Sequence, residues 1–468
     1  MKLVLHIGTD KTGSTAIQRA LWANREWFLT RGVYIPETGL GVDNGHAVLL
    51  QALDNASLST LAQELEQAGQ GDYTAALISW EGLSRFNDKQ LKTLMGALAN
   101  PAAELLVYLR DQAEVIQSAH LQWVQMNPSA MSVKSLSVPR SLAQRVRQYL
   151  FLRHPQRNYH KLLRRWQAAN PNVTFNLRRY ASEHLLGTDV ITDFLAQFGL
   201  TKDDGFTAPT EPTNPSIDVE TALLLERWRT AALADEDIAT RLDLAVAIAE
   251  QDGTGNRYFL DKDAVDAIRR HFVASNRKAA AIAGLGHEFE IATQSRCWRT
   301  EPFSSAENRA TTRDQKVDEE NAIPTLHHDA AGESLGDKLL LHSGWSGVED
   351  WGVWSESAQS ILQFRIPKQP NVATTDQLEL SVFGKYYADN RETEIKANDL
   401  ELGSHDLSSI DRKLRIPLSE LGPLQRLTLE LTHQSPTSPA DLEGSEDARE
   451  LAFALCSLSY RIVPRNAE

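Results

Sequence analysis

The chain has few cysteines, no long apolar run and no excess of positive charge, and each shortage argues against a class of protein. Its two cysteines, Cys297 and Cys456, lie far apart among 468 residues and show no zinc-binding spacing. The formal net charge at pH 7 is −14, whereas broad binding to nucleic acid or to an anionic membrane favours a basic surface. The sequence therefore predicts no nucleic-acid partner. No stretch of about 18 apolar residues occurs, so it also predicts no transmembrane segment.

The sequence also predicts no signal peptide. Met1 and Lys2 lead directly into an apolar, strand-like run, which leaves no room for a leader. We therefore predict that the protein lies in the cytoplasm, either free or peripheral at the inner face of the membrane. The cysteine content agrees with a reducing compartment, although the spacing leaves a disulfide between the two cysteines open.

The most informative segment is the polar loop of residues 6–15, which reads HIGTDKTGST. It lies between a strand-like run and a helical pattern, an order that directs backbone N–H groups and the positive end of a helix dipole toward a phosphate. Gly8 and Gly13 have the spacing of the nucleotide-kinase loop. In that loop a lysine follows the second glycine, but here Ser14 takes that place and the lysine lies inside the loop at Lys11.

A second basic motif follows the apolar strand pattern of residues 105–109. That pattern ends in Arg110, and Ser118 stands eight positions later in a helical segment. A guanidinium offers a planar pair of donors to a phosphate, and a hydroxyl adds a neutral hydrogen bond. Arg110 and Ser118 are therefore candidates for binding a phosphate, the alternative being that Arg110 is an ordinary surface cation.

The two motifs together resemble those of sulfotransferases, which take a sulfuryl group from 3′-phosphoadenylyl sulfate (PAPS). The chain departs from the family loop at Asp10, where a proline is usual, and at Ala16, where a tryptophan is common. The resemblance implies that the loop backbone holds the 5′-phosphate, that Lys11 neutralises charge on the departing oxygen, and that the second motif holds the 3′-phosphate. It assigns donor binding to Lys11, Thr12, Gly13, Ser14, Thr15, Arg110 and Ser118. It implies PAPS as the donor and no metal, since lysine and backbone dipoles replace the Mg²⁺ of kinases.

Sulfuryl transfer also needs a base to take the proton of the acceptor hydroxyl. Glu81 follows the strand pattern of residues 75–79, and the carboxyl ends of neighbouring parallel strands line the ligand crevice. Glu81 is therefore the first candidate, the alternative being that it caps the helix near Asp88 or pairs with a surface cation. His46, which follows Gly45 in a glycine-containing loop, is the second candidate unless it is simply solvated.

The pattern along the chain predicts two domains of different class. Residues 1–295 have the pattern of an α/β catalytic domain with a P-loop-like parallel sheet flanked by helices. Residues 296–335 are polar and show no dependable helical stripe, so we predict a linker. Residues 336–468 contain short alternating strands separated by Gly, Pro, Asn and Asp, which predicts a C-terminal antiparallel β-sandwich.

This C-terminal region has three tryptophans within ten positions, Trp345, Trp351 and Trp354. It resembles accessory β domains found beside bacterial surface-polysaccharide enzymes. Tryptophan faces stack on sugars, and Asp441, Asp447 and Arg449 could bind hydroxyl groups. The favoured interpretation is structural, with Trp351 and Trp354 filling the sandwich core.

The sequence therefore predicts a sulfotransferase that moves a sulfuryl group from PAPS to a hydroxyl of a bacterial saccharide or polysaccharide precursor. The expected partners are a saccharide or glycolipid acceptor and, through the C-terminal domain, other polysaccharide-biosynthesis enzymes. Two alternatives stay open. A P-loop nucleotide-dependent kinase should have a lysine after Gly13, and a non-catalytic glycan-binding protein would tolerate loss of Lys11, Arg110 and Ser118.

Overall fold

The computed structural model divides into two compact units. It describes residues 1–41, 45–47, 53–99, 102–127, 133, 157–203, 205–208, 217–253, 255–286, 289–291, 296–323, 340–349, 351–367, 376–409 and 412–464. One unit comprises Met1–Glu226 and Asn256–Glu307, and the other comprises Arg227–Gly255 and Asn308–Glu468. No helix in these described ranges is long and apolar enough to cross a membrane.

The first unit is built on a five-stranded parallel sheet. Its strands are β1 (Lys2–His6), β2 (Val33–Tyr34), β3 (Ala75–Ser79), β4 (Glu104–Leu109) and β5 (Thr174–Arg179). Their order across the sheet is β2-β3-β1-β4-β5, and every pairing is parallel. Strand β1 therefore lies at the centre, between β3 and β4.

Helices cover both faces of this sheet. The helices of both units, numbered in chain order, are α1 (Ser14–Ala23), α2 (Arg25–Leu29), α3 (Asn55–Ala68), α4 (Asp88–Leu98), α5 (Gln112–Met126), α6 (Tyr159–Ala169), α7 (Val190–Ala196), α8 (Val219–Thr230), α9 (Asp235–Gln251), α10 (Lys262–Ile282), α11 (Phe303–Asn321) and α12 (Pro439–Glu443). Of these, α9 and α12 belong to the second unit, and the division between the units falls within α8 and α11. Leu3 and Leu5 of β1 belong to one buried cluster and Val4 to another, because successive side chains point to opposite faces. Burial on both faces explains why the strands are almost continuously apolar. The predicted parallel sheet with flanking helices is confirmed.

The second unit contains two antiparallel sheets. Their strands are β6 (Leu340–Ser343), β7 (Val353–Trp354), β8 (Gln359–Arg365), β9 (Gln377–Tyr386), β10 (Thr393–Ala397), β11 (Leu400–His405), β12 (Lys413–Pro417), β13 (Arg426–His433) and β14 (Phe453–Val463). The orders are β11-β10-β13-β8-β6 and β12-β9-β14-β7. Leu362 and Phe364 of the first sheet share one buried cluster with Leu378 and Leu380 of the second. The predicted C-terminal antiparallel architecture is confirmed.

The segment predicted to be a linker contains the 19-residue helix α11. Its buried residues are Ala306, Ala310, Arg313, Val317 and Glu320, spaced by three or four as one face of a helix requires. Two of the five are charged and two are alanines, so the face has little hydrophobic contrast in the sequence. The expectation that this stretch lacks a helix is wrong.

Candidate active site

The loop of residues 7–13 leaves the central strand of the parallel sheet. Strand β1 pairs with β3 on one side and with β4 on the other, so the carboxyl ends of all three strands lie side by side. The chain first builds the sheet on the β3 side and then crosses to the β4 side. In open α/β sheets a ligand crevice forms where the strand order reverses in this way. Glu81 follows β3 and Arg110 follows β4, so the sheet places both next to the loop.

Side-chain hydrogen bonds fix the conformation of this loop. Thr9 Oγ1 donates to the carbonyl of Tyr108 in β4 at 2.8 Å, and Thr12 Oγ1 donates to the carbonyl of Thr9 at 2.7 Å. Lys11 has φ +61° and Gly13 has φ +73°, both in the left-handed region. A non-glycine residue held in this region is strained, and such strain is common at functional sites.

Helix α1 begins directly after the loop and presents an uncapped N-terminus. Gly13 is its N-cap residue, no side chain accepts from its first N–H groups, and its first turn has no acidic residue. Helix α5, in contrast, is capped by Asp111, whose Oδ1 accepts from the N–H of Ala113 at 2.9 Å. The free N–H groups and the helix dipole of α1 are therefore available to an anion.

Glu81 contacts the first residue of α1. Ser14 Oγ donates to Glu81 Oε2 at 3.0 Å. A Cβ atom added to Gly8 would lie 2.8 Å from the Cβ of Ser14 and 3.1 Å from that of Glu81, so only glycine permits this close approach. The alternative role for Glu81 as a helix cap is wrong, because Asn87 caps α4.

Lys11 and Arg110 come together although they are 99 residues apart in sequence. Arg110 Nη1 donates to the Lys11 carbonyl at 3.0 Å, and Arg110 Nε donates to Glu114 Oε2 at 2.9 Å. Lys11 Nζ lies 3.4 Å from Gln122 Oε1. Burial, and then the positive charge of Arg110, lower the pKa of Lys11. Glu81 and Asp10 act in the opposite direction on this pKa, and the negative charge of a bound anion would do the same.

Ser118 lies on the face of α5 that is directed toward these cations. Glu114, Ser118 and Gln122 are spaced by four and so form one stripe along the helix. Glu114 binds Arg110 at one end of the stripe and Gln122 contacts Lys11 at the other. Ser118 stands between them and is half-buried. The structure thus brings Ser118 to the same site as the loop.

Two further charged residues, Asp10 and Arg257, affect the electrostatics of the site. Asp10, in the place of the family's proline, forms an ion pair of 2.8 Å with Arg85, so its carboxylate does not stand unpaired beside the anion site. Arg257, which the sequence did not single out, is exposed and close enough to lower the pKa of Lys11 further. Gln117 fixes the chain near it, because Gln117 Oε1 accepts from the N–H of Phe259 at 2.9 Å.

Sequence reasoning also missed Glu114, Gln122 and Tyr180. Glu114 follows Arg110 by four residues, a spacing that predicts a helical ion pair and could have been recognised. The Arg110 guanidinium lies 5.5 Å from the centre of the Tyr180 ring. No sequence signal connects Gln122 to the loop.

His46 is a fully buried residue held by main-chain groups. Its Nε2 lies 3.1 Å from the carbonyl of Pro36, and its Nδ1 accepts from the N–H of Ser79 at 3.2 Å. A Cβ atom on Gly45 would lie 2.2 Å from the Ser79 carbonyl, so this segment is pressed against the end of β3. Both ring nitrogens are occupied, and burial lowers the pKa of His46 to about 4. The expected solvated or cleft-facing histidine is therefore not found, and no described contact brings His46 to the loop.

We expect His46 to make the first unit acid-sensitive. The ordinary histidine pKa is 6.5, and the folded value is about 4, so the unfolded chain takes up a proton that the folded chain does not. The stability that His46 contributes is complete above pH 6.5 and is lost as the pH falls toward 4; the loss reaches about 2 kcal/mol at pH 5. His46→Gln should be less stable at neutral pH but should lose less stability on acidification, as measured by denaturant unfolding at both pH values. The exposed His271 provides the control, and equal pH slopes for His46→Gln and wild type would contradict this role.

One group of potential metal ligands occurs in the described part of the chain. It consists of Asp111, Glu114 and Cys297, whose ligand atoms lie within 4.8 Å of one another. Arg269 donates to Asp111 Oδ2 at 2.8 Å and lies 3.1 Å from Cys297 Sγ, so a guanidinium already supplies the positive charge. Burial raises the pKa of Cys297 to about 12. These residues do not fit a metal centre.

Comparison with known proteins gives little beyond this geometry. No family model matches the chain, and no curated protein matches it. A sulfotransferase from Alicyclobacillus acidocaldarius is similar with a TM-score of 0.30 and 14% identity, over 61% of this chain and 96% of that one. A family 35 carbohydrate-binding module from an environmental isolate has a TM-score of 0.15 and 12% identity, over 31% of this chain and 90% of its own. A family GH115 4-O-methyl-α-glucuronidase has a TM-score of 0.16 and 12% identity, over 87% of this chain and 48% of its own. At these scores the residues of the site carry the functional argument alone.

Proposed function

We propose that the chain is a PAPS-dependent sulfotransferase that acts on a hydroxyl of a bacterial saccharide or polysaccharide precursor. One observation carries this proposal. Lys11 and Arg110, from two motifs far apart in sequence, meet at the uncapped N-terminus of α1, where Glu81 also touches Ser14. Two cations and a helix N-terminus suit a ligand with more than one phosphate group, and a nearby carboxylate suits proton transfer. We place the reaction in the cytoplasm or at the inner membrane face, with a saccharide or glycolipid as acceptor.

The donor-binding roles divide along the two motifs. Backbone N–H groups of residues 12–15 would hold the 5′-phosphate, and Lys11 would stabilise the negative charge that develops on the bridging oxygen. Arg110 and Ser118 would hold the 3′-phosphate. Arg110 Nε already donates a hydrogen bond to Glu114, so the phosphate must compete with this carboxylate.

The role of base falls to Glu81. Its contact with Ser14 holds the carboxylate at the start of α1, next to the groups that would bind the donor. In this proposal Glu81 takes the proton of the acceptor hydroxyl while the oxygen attacks sulfur, and the bond between sulfur and the bridging phosphate oxygen breaks. His46 is given a structural role, because both of its ring nitrogens bind main-chain groups.

Titration calorimetry with adenosine 3′,5′-bisphosphate (PAP, the desulfated donor) tests the proposal. We expect PAP to bind tightly in the presence of a chelator, and ATP and ADP to bind more weakly with or without Mg²⁺. Absence of PAP binding, or a preference for Mg²⁺-ATP, would contradict the sulfotransferase function and favour a kinase or a non-catalytic protein.

Glu81→Gln should separate proton transfer from donor binding. General-base catalysis contributes about 10²- to 10⁴-fold, so we expect a loss of turnover in that range. PAP affinity should change little, because the amide oxygen still accepts from Ser14. Turnover is measured as transfer of labelled sulfuryl groups from PAPS to the acceptor found in a saccharide screen. The assignment of Glu81 as the base is wrong if Glu81→Gln keeps normal turnover.

A further inference from the structure

An aromatic cluster in the second unit lies outside its core. The Trp351 and Trp354 rings are 5.6 Å apart between centres, and those of Trp354 and Tyr387 are 5.9 Å apart. Trp351 is 41% exposed, and Trp354 and Tyr387 are half-buried. The prediction that Trp351 and Trp354 fill the sandwich core is wrong; Trp345 is the tryptophan that packs against it.

A tight hairpin explains why Trp351 is exposed. Glu349 and Gly352 exchange both backbone hydrogen bonds, at 2.8 and 3.1 Å, and this places Trp351 in the turn between them. A Cβ atom on Gly352 would lie 2.4 Å from the carbonyl oxygen of Leu455, so glycine lets the hairpin press against β14. The base of the hairpin is thereby fixed while its turn stays at the surface.

The floor beneath the cluster is a row of residues across three strands. Trp354 of β7 is in register with Ala454 of β14, which is in register with Lys385 of β9. Phe453 and Leu455 belong to the core, so their neighbour Ala454 points to the outer face of the sheet. Ala454 is nevertheless fully buried, which shows that neighbouring side chains cover it. A small residue here lets aromatic rings lie close to the sheet.

The rings of Trp351 and Tyr387 are each held in place by polar neighbours. Trp351 Nε1 donates to Glu349 Oε2 at 2.9 Å, and the Lys385 ammonium lies 5.6 Å from the centre of the Trp351 ring. The Tyr387 hydroxyl donates to Glu443 Oε1 at 3.0 Å. Rings fixed before a ligand arrives lose little entropy on binding, which is a property of binding sites.

The charges around the cluster are mainly negative. Arg449 is bound by Asp447, with Nη2 to Oδ2 at 2.6 Å, and the negative charges of Glu356 and Glu349 also raise the pKa of Arg449. The carboxylates of Glu349, Glu356, Glu443 and Asp447 thus outnumber the cations of Lys385 and Arg449. An anionic ligand would be repelled, whereas hydroxyl groups can donate to these carboxylates. The centre of a protein-binding interface, in contrast, is depleted in charged residues.

We propose that the aromatic surface of Trp351, Trp354 and Tyr387 is a binding site for a neutral saccharide. A sugar ring stacks on Trp351, and its hydroxyl groups donate to the carboxylates of Glu349 and Glu443 that border the aromatic rings. This proposal does not depend on the sulfotransferase function, because every residue named lies in the second unit.

Affinity electrophoresis of the full chain tests the proposal. Native gels contain a neutral polysaccharide (galactomannan, β-glucan or arabinoxylan) or the polyanion alginate. We expect at least one neutral polysaccharide to retard the protein and alginate not to. Trp351→Ala should weaken retardation by about tenfold or more, as expected for the loss of a central aromatic contact. The matched control is Trp22→Ala, which removes a tryptophan of 45% exposure from the first unit.

Two near-isosteric variants keep the test decisive if Trp351→Ala does not fold. Glu349→Gln removes the charge of the acceptor beside Trp351, and Tyr387→Phe removes the hydroxyl that orients Glu443. Weaker retardation in these variants, with unchanged circular dichroism, supports the site. Retardation by alginate alone, by no neutral polysaccharide, or equally in the wild type and all variants overturns it.

Discussion

Replacing Lys11 by alanine should lower sulfuryl transfer by about 10²- to 10³-fold, the loss expected when one charge-stabilising group is removed from a transition state. Lys11 lies in the loop before the uncapped helix α1. Burial and the positive charges of Arg110 and Arg257 lower its pKa, against the opposite effects of Glu81 and Asp10. A donor that brings negative charge, and develops more of it during the reaction, should interact most strongly with Lys11 at the transition state.

The loss should come from charge and not from the loop backbone. Lys11 has φ +61°, and alanine is strained in this region as lysine is. Lys11→Gly removes the charge without this strain, so both variants should lose activity to a similar extent. Lys11 Nζ makes a contact of 3.4 Å with Gln122, and losing so long a contact should have little effect on folding.

Turnover of labelled PAPS with the identified acceptor measures this effect. The matched control is Lys202→Ala, which removes a partly exposed lysine paired with Asp189 at 2.7 Å. Activity lost in Lys11→Ala but retained in Lys11→Gly would show that the conformation of the loop backbone, not the charge of Lys11, is required. Full activity in both variants would contradict the proposed role of Lys11.

The two motifs of the candidate site were readable from the sequence because each is local. A strand, a polar loop and a helix are encoded within residues 3–21, and Arg110 and Ser118 are eight positions apart on one strand end and helix. What brings the motifs together is the placement of β1 beside β4, and apolar strand patterns do not encode strand order. The resemblance to a family supplied that pairing, and hydrophobic periodicity alone did not.

The residues that were missed or misread share a physical cause. Glu114 and Gln122 are polar residues on a helix, and in sequence they look like a solvent-exposed face although they contact Arg110 and Lys11. His46 is buried because Gly45 packs against β3, and Trp351 is exposed because Gly352 packs against β14. Such close approaches of glycine depend on tertiary structure, so a count of apolar residues predicts neither result.

Arg110→Ala should convert a site selective for PAP into one that no longer distinguishes PAP from 5′-AMP. The two nucleotides differ only in the 3′-phosphate, so their affinity ratio isolates the contact proposed for Arg110. Truncating one partner of a buried, hydrogen-bonded charge pair costs about 2–5 kcal/mol. We therefore expect PAP affinity to fall by about 30-fold or more, and that of 5′-AMP to change by less than about threefold.

Calorimetry with both nucleotides measures this ratio, and Arg165→Ala is the matched control. The Arg165 side chain is 24% exposed and pairs with Asp88, whereas the Arg110 side chain is 22% exposed and pairs with Glu114. Removing Arg110 also takes this ion pair from the Glu114 carboxylate, whose negative charge would then act more strongly against the 3′-phosphate. Arg110→Ala/Glu114→Ala should therefore recover part of the lost PAP affinity.

Arg110 also donates to the Lys11 carbonyl, so it could act by holding the loop instead of the phosphate. The two roles differ in their effect on 5′-AMP. If Arg110 only positions the loop, the 5′-phosphate site is damaged as well, and PAP and 5′-AMP should weaken by the same factor. If Arg110 binds the 3′-phosphate, only PAP should weaken strongly. An equal loss for both nucleotides would therefore reduce Arg110 to a positioning residue and leave the 3′-phosphate to Ser118 and Arg257.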